Sequence, residues 1–400
     1  MARLLTCGFE ENNLTATMWS STVGTAPAVV TTTPHSGTYC LETSTASGNS
    51  FIRRTLSTNY TSGTHFLRTY FLAEDATPSA NADIIIAQSN GAVSSYSVAL
   101  LTTGAIRLTN NVTATAQTTS ATLSNSTWYR IEIRHLLSDT VGEIELRLYA
   151  GDSTTATETL SITAEDTLAT NVGLLNIGKN GTTTTKFWFD DFAYNDATGS
   201  FQTSWCGPGK ICMLVPAAEG ATIEWTPLSG TDNALMVDEM PAAAPDDATS
   251  YNATSTAALL DILTLTDMPA EVTSSATIAL ADLYGRVGGD ATTGSPTMRF
   301  NIYDEADTKT AGPTCNKTDI AGWQIISTAD HCVLDTAGKT KANLDSFKAG
   351  YEIVTDTAVE QRVTAVWMNV EWLEAVVGGA VTYPQLERAI RGLERGLVGV

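Results

Sequence analysis

The chain has 400 residues, more than one ordinary hydrophobic core holds, so two or three domains are expected. Hydrophobic residues make up 43% and charged residues only 16%, which excludes a disordered chain and leaves Thr, Ser, Ala and Asn to cover the surface. Subtracting 43 acids from 22 bases gives a net charge of −21, which repels a phosphate backbone and argues against nucleic-acid binding.

The opening Met1-Ala2-Arg3-Leu4-Leu5 carries one basic residue and runs directly into a strand-like segment, without the apolar stretch of a secretory signal. No run of ~18 apolar residues follows, so no membrane partner is expected. From residue 3 to about 200, short strands alternate with Gly, Ser, Asn and Asp turns, the mark of a β-sandwich. Examples are Thr38–Glu42, Asp83–Ala87, Trp128–Arg134 and Glu143–Tyr149. The last alternates apolar and mostly charged residues, as a half-buried antiparallel strand does.

Residues 201–252 read as a junction, with a turn at Cys206-Gly207-Pro208-Gly209 and an Ala/Pro/Asp stretch from Pro241 to Asp247. A second β-rich domain is expected over 253–376, with strands at Ala276–Val287, Thr297–Tyr303, Gly322–Thr328, Glu352–Thr355 and Val363–Trp372. Leu259–Leu265 fits either a strand or a short helix. In the tail, 377–400, Leu386, Ala389, Ile390, Leu393 and Leu397 recur at helical spacing behind Pro384. This amphipathic helix either packs back on its own domain or docks on a neighbouring subunit, which would make the protein a homo-oligomer.

Cys7, Cys40, Cys206, Cys212, Cys315 and Cys332 are too dispersed for a zinc ribbon or a CxxC site. Local pairs (7 with 40, 206 with 212, 315 with 332) could form disulfides, and buried thiols are the alternative.

Three stretches of the first domain stand in a telling order. They are Gly8-Phe9-Glu10 ahead of Trp19, His35-Ser36-Gly37-Thr38-Tyr39-Cys40-Leu41, and Phe187-Trp188-Phe189-Asp190-Asp191-Phe192. Together they resemble the concanavalin-like and carbohydrate-binding-module jelly rolls. Asp196 to Tyr251 and the run Leu344 to Trp372 are similar to segments that follow such jelly rolls in phage minor structural and tail proteins. The resemblance implies an all-β fold: an N-terminal jelly roll over 1–200, a second sandwich-like domain and a short C-terminal helix. It also implies a structural Ca²⁺ held by Glu10 and by Asp190 or Asp191; alternatively these carboxylates hydrogen-bond turn backbone. Strand alternation predicts that Asp190 and Asp191 do not reach one site together.

No catalytic constellation stands out. Glu143 and Glu145 share one strand face, which is expected to be solvated, and the Glu-x-Asp-x-x-Glu string of jelly-roll glycanases is absent. His35, His65, His135 and His331 lack zinc spacing, and His331 and its neighbour Cys332 should point apart on a strand. Trp19, Tyr60, Tyr70 and Tyr96 could stack on sugars or fill the core. The expected function is therefore a non-enzymatic virion protein. It would sit on a tail, fibre or capsid surface, contact other virion proteins and possess a potential for contact with a host-surface glycan. A free carbohydrate-binding module is the alternative, and a glycan-cleaving enzyme ranks third.

Overall fold

The computed structural model describes residues 3–14, 18–168, 170–289, 297–316, 323–325, 331–355 and 360–374. The predicted tail helix, with Leu386, Ala389, Ile390, Leu393 and Leu397, lies outside them. Among the described residues the only helical elements are the single turns Ala234–Met236 and Lys341–Leu344. None is long and apolar enough to cross a membrane.

Two antiparallel sheets form the N-terminal jelly roll. Sheet I runs Glu158–Glu165, Gly142–Ala150, Tyr129–Leu137, Gly63–Ala73, Phe187–Asp196, Cys40–Glu42, Ala28–Val30, with Arg3–Cys7 also paired to Phe187–Asp196. Sheet II runs Thr115–Thr118, Ile106–Asn110, Ser94–Leu100, Ala82–Gln88, Val172–Asn180, Ser50–Tyr60, Ser21–Gly24. Inward residues at every second position fill the space between them. Ile131, Ile133, Ile144, Leu146 and Leu148 from sheet I are all buried, each burial contributing roughly 1.5–3 kcal/mol.

The second sandwich is also antiparallel. Sheet III centres on the long pair Gln361–Leu373 and Thr277–Gly289, and sheet IV on Lys348–Thr355 and Thr297–Tyr303. From Lys210 on, the strands of the stretch expected as a junction belong to this sandwich. Lys210–Leu214 pairs with Gln361–Leu373, and Pro216–Glu219 pairs with Leu260–Leu265. Leu260–Leu265, ambiguous from its pattern, is a strand. Its alternating pattern puts Leu263 and Leu265 in the core.

The strand Gln361–Leu373 is buried on both faces, which explains the unbroken apolar run Ala365-Val366-Trp367-Met368 at its middle. Val366, Met368, Val370 and Trp372 enter the core of their own sandwich. Ala365 and Trp367, on the other face, join the core of the jelly roll together with Tyr284 of the neighbouring strand. Asn369 and Glu371 continue that second face, so a period of two builds both a core and a domain seam.

Candidate functional site

The motif His35-Ser36-Gly37-Thr38-Tyr39 lies at this seam, and five successive backbone N–H groups there donate to carboxylates. Those of His35 and Ser36 reach Asp190 Oδ2 at 2.8 and 3.3 Å. That of Gly37 reaches both oxygens of Glu271, from the second sandwich, at 3.0 and 3.1 Å. Those of Thr38 and Tyr39 both reach Glu10 Oε1 at 3.0 Å. Such a run of N–H groups is a natural anion cradle, and here the chain's own side chains fill it. Gly37 is required twice over. Its φ is +64°, and a Cβ would lie 2.2 Å from Glu10 Oε1.

Asp191 also turns toward this loop, against the alternation expected from a strand. A bulge between Asp190 and Ala193 puts Asp191 at φ 48°, which redirects its side chain. Its Oδ1 accepts from Ser36 Oγ at 2.8 Å and from the Ile211 N–H of the second sandwich at 2.7 Å. Its Oδ2 is 2.6 Å from His35 Nδ1. Arg68 Nε donates to the Asp191 carbonyl at 2.9 Å.

This arrangement does not fit the calcium ion implied by resemblance. The oxygens of Glu10, Asp190 and Asp191 face N–H and O–H donors, and among the described residues no three His, Cys, Asp or Glu side chains gather to hold a metal. Burial and crowding act on these acids instead. Burial, against the Tyr39 and Thr38 N–H groups, pushes the Glu10 carboxyl up to about 8. Burial and the neighbouring Asp191 and Glu10 raise Asp190 well above the carboxylate range.

His35 is held from both sides. Its ring stacks on Tyr70 at 3.7 Å, and its Nε2 lies 3.3 Å from Asp152. Burial alone would lower the imidazole, but hydrogen bonds to Asp152 and Asp191 outweigh it and raise the pKa. Tyr70 donates to Asp152 at 2.7 Å.

A second polar array lies nearby. Arg3 Nη1 is 2.6 Å from Glu371 Oε2, and Arg68 Nη1 donates to Glu371 Oε1, with all three side chains buried. Asn369 Nδ2 donates to the Thr6 carbonyl at 2.7 Å and to Glu11 at 2.9 Å. Sequence reasoning missed these groups. The signal available was a pair of polar residues, Asn369 and Glu371, among the apolar residues that fill the rest of Ala365–Leu373.

The outer face of sheet I is covered in part by the chain itself. Trp205 packs edge-on against Phe66, with its ring 3.9 Å from the Arg147 guanidinium. Arg3 donates to Gln202, Asn195 to the Ser204 carbonyl and Arg68 to the Gly207 carbonyl. Glu143 and Glu145 are ion-paired rather than simply solvated: Arg134 bridges them, and Arg147 binds Glu145 at 2.7 Å. Trp19, Tyr70 and Tyr96 are buried, and Tyr60 packs edge-on against His65, so these four form no open aromatic platform. The six cysteines are thiols rather than disulfides. Cys332 donates to the Thr310 carbonyl while its neighbour His331 binds Asp282, so the two do point apart.

A groove of about 460 Å³ runs along the seam, and a shallower one of about 380 Å³ is lined by Asn12, Leu14, Thr22, Pro27 and Val29 of the jelly roll. The polar groups of the seam groove are the carboxyls of Glu10, Asp267 and Glu271 and the hydroxyl-bearing Thr38 and Thr266. Tyr39, Met213, Val215, Pro241 and Pro269 supply an apolar wall.

No family model and no curated protein matches the sequence. Among solved structures, the chain is similar to the cellulose induced protein Cip1 at 15% identity, covering 51% of this chain and 99% of that one, with a TM-score of 0.37. It is similar to the CBM22-1–CBM22-2 tandem domain of Paenibacillus barcinonensis Xyn10C at 11% identity, with 92% and 97% covered and a TM-score of 0.24. The binding domain of botulinum neurotoxin serotype D is similar at 12% identity, with 89% and 98% covered and a TM-score of 0.36. All three likenesses are remote.

Proposed function

We propose that the protein is a non-catalytic glycan-binding protein that contacts sugar in the seam groove. The observation that carries this reading is the groove's two-sided lining, with the Tyr39 ring and apolar side chains on one part and carboxyls and hydroxyls on another. A pyranose has the same division, with C–H faces that stack on a ring and hydroxyls that need acceptors. Two further features support binding over hydrolysis. Glu143 and Glu145 are paired with arginines, and His35 is locked between two aspartates. Nothing in the described fold speaks to a virion setting, so the proposal is the binding role that the sequence left as its alternative.

Calorimetric titration against a panel of oligosaccharides tests the reading. Tyr39→Ala removes the ring but keeps the backbone N–H that Glu10 accepts. It is expected to weaken binding by roughly tenfold, the equivalent of about 1.4 kcal/mol. No binding by the wild-type chain, or binding indifferent to Tyr39→Ala, would remove the proposal. Release of reducing ends by the purified protein would refute its non-catalytic part.

A further inference from the structure

We infer that the seam groove prefers amino sugars bearing a free ammonium group, a conclusion that rests on the glycan-binding reading above. Three carboxyl-bearing residues line the groove, and no Lys, Arg or His does so among the described residues. Glu10 is 8% exposed and forms the floor. Because it holds its proton up to about pH 8, it offers hydrogen bonds there rather than charge. Asp267 and Glu271 stand at the exposed rim, Glu271 with its oxygens on the Gly37 N–H, so both carboxyls border whatever enters. The net charge of −21 adds a field of the same sign. A uronate or sialate would meet this field with like charge, and a neutral sugar would gain nothing from it. An ammonium group on a pyranose that stacks on Tyr39 satisfies the rim and the apolar wall together. The rim is wet, so the attraction falls off over a Debye length of ~10 Å at about 0.1 M salt and weakens as salt rises.

The test titrates the full chain, at about pH 6, with three tetrasaccharides of equal length: glucosamine, N-acetylglucosamine and galacturonate. The expected result is binding of the glucosamine tetramer about tenfold tighter than its neutral acetylated form at low salt, with the gap narrowing at about 0.5 M, and no measurable heat from galacturonate. Glu271→Gln combined with Asp267→Asn should cut the preference, taken as the ratio of the two affinities in the same variant, to about twofold or less. A cooperative urea transition in the variant is the control for folding, and Asp267→Asn alone, which leaves the Glu271 contact with Gly37 in place, should lower the preference part of the way. Equal affinity for the charged and neutral tetramers in the wild type overturns the inference, as does a preference that survives the double substitution. Either result would leave the glycan-binding reading standing. If none of the three sugars binds, this inference falls, and the oligosaccharide panel decides the glycan-binding reading separately.

Discussion

Replacing Glu371 by Gln tests whether the seam is held by charge. Glu371 is 1% exposed and faces two guanidiniums that are fully buried, Arg3 at 2.6 Å and Arg68. Burial alone would raise its pKa, but the two arginines outweigh burial and hold it below the ordinary value. Removing one partner of a buried pair costs roughly 3–5 kcal/mol, because the remaining charge stays buried and unpaired. Gln keeps an acceptor for one arginine, so a loss of about 3 kcal/mol is expected. Urea unfolding gives the free energy, and hydrogen exchange read peptide by peptide shows where protection is lost. Protection should fall first in Arg3–Cys7 and Gln361–Leu373, the strands that meet at the seam. A loss below about 1 kcal/mol, with exchange unchanged in both strands, would refute the view that this ion array fastens the two sandwiches.

Four further outcomes are expected. Gly37→Ala puts a Cβ 2.2 Å from Glu10 Oε1 at a left-handed φ, and should cost at least about 2 kcal/mol in thermal or urea unfolding. The Glu10 carboxyl is raised from 4.5 to about 8, so its contribution to stability is fully present below 4.5 and is lost as pH rises through 8. That limb should span at most on the order of 5 kcal/mol and should flatten in Glu10→Gln, as read by denaturation midpoints across pH. Glu371 has the opposite sign, and its contribution should disappear as pH falls below about 4.5. Iodoacetamide should label the native thiols only slowly, since burial pushes Cys206 and Cys332 up to about 12, and a reductant should leave the denaturation midpoint unchanged.

The strands were largely legible because alternation reports a half-buried face directly, as in Glu143–Tyr149. Thr297–Tyr303 was predicted with the same ends it has in the structure. The membership of residues 201–252 was not legible. Lys210–Leu214 and Pro216–Glu219 are short, and their strand character comes from partners at Gln361–Leu373 and Leu260–Leu265 that are distant in sequence. Glu10, Asp190 and Asp191 were visible as a group through their motifs, but not their role. That role depends on the bulge at Asp191 and on Glu271, which reaches across from another domain. No local pattern announces either. Gly37 was visible as part of a motif, yet its reason is a clash that exists only once Glu10 is in place.

The polar groups at the seam differ in what they demand of it. Apolar packing such as that of Ala365 and Trp367 on the jelly-roll core tolerates small sliding, since dispersion and burial are non-directional. The Glu371 array and the carboxylates around His35 to Tyr39 do not, because each leaves a buried charge or N–H group unpaired when displaced. Apolar packing therefore supplies attraction, and the polar groups select one alignment of the two sandwiches. That division bears on the groove. Tyr39 and Glu10 come from the jelly roll, whereas Met213, Asp267 and Glu271 come from the second sandwich. A binding surface divided between two domains keeps its shape only if their alignment is fixed. Glu10 and Glu271 both grip the loop that carries Tyr39, so the groups that fix the alignment are also part of the wall. Binding at this groove and integrity of the seam should accordingly be inseparable, whereas binding on the covered outer face of sheet I would require no such coupling.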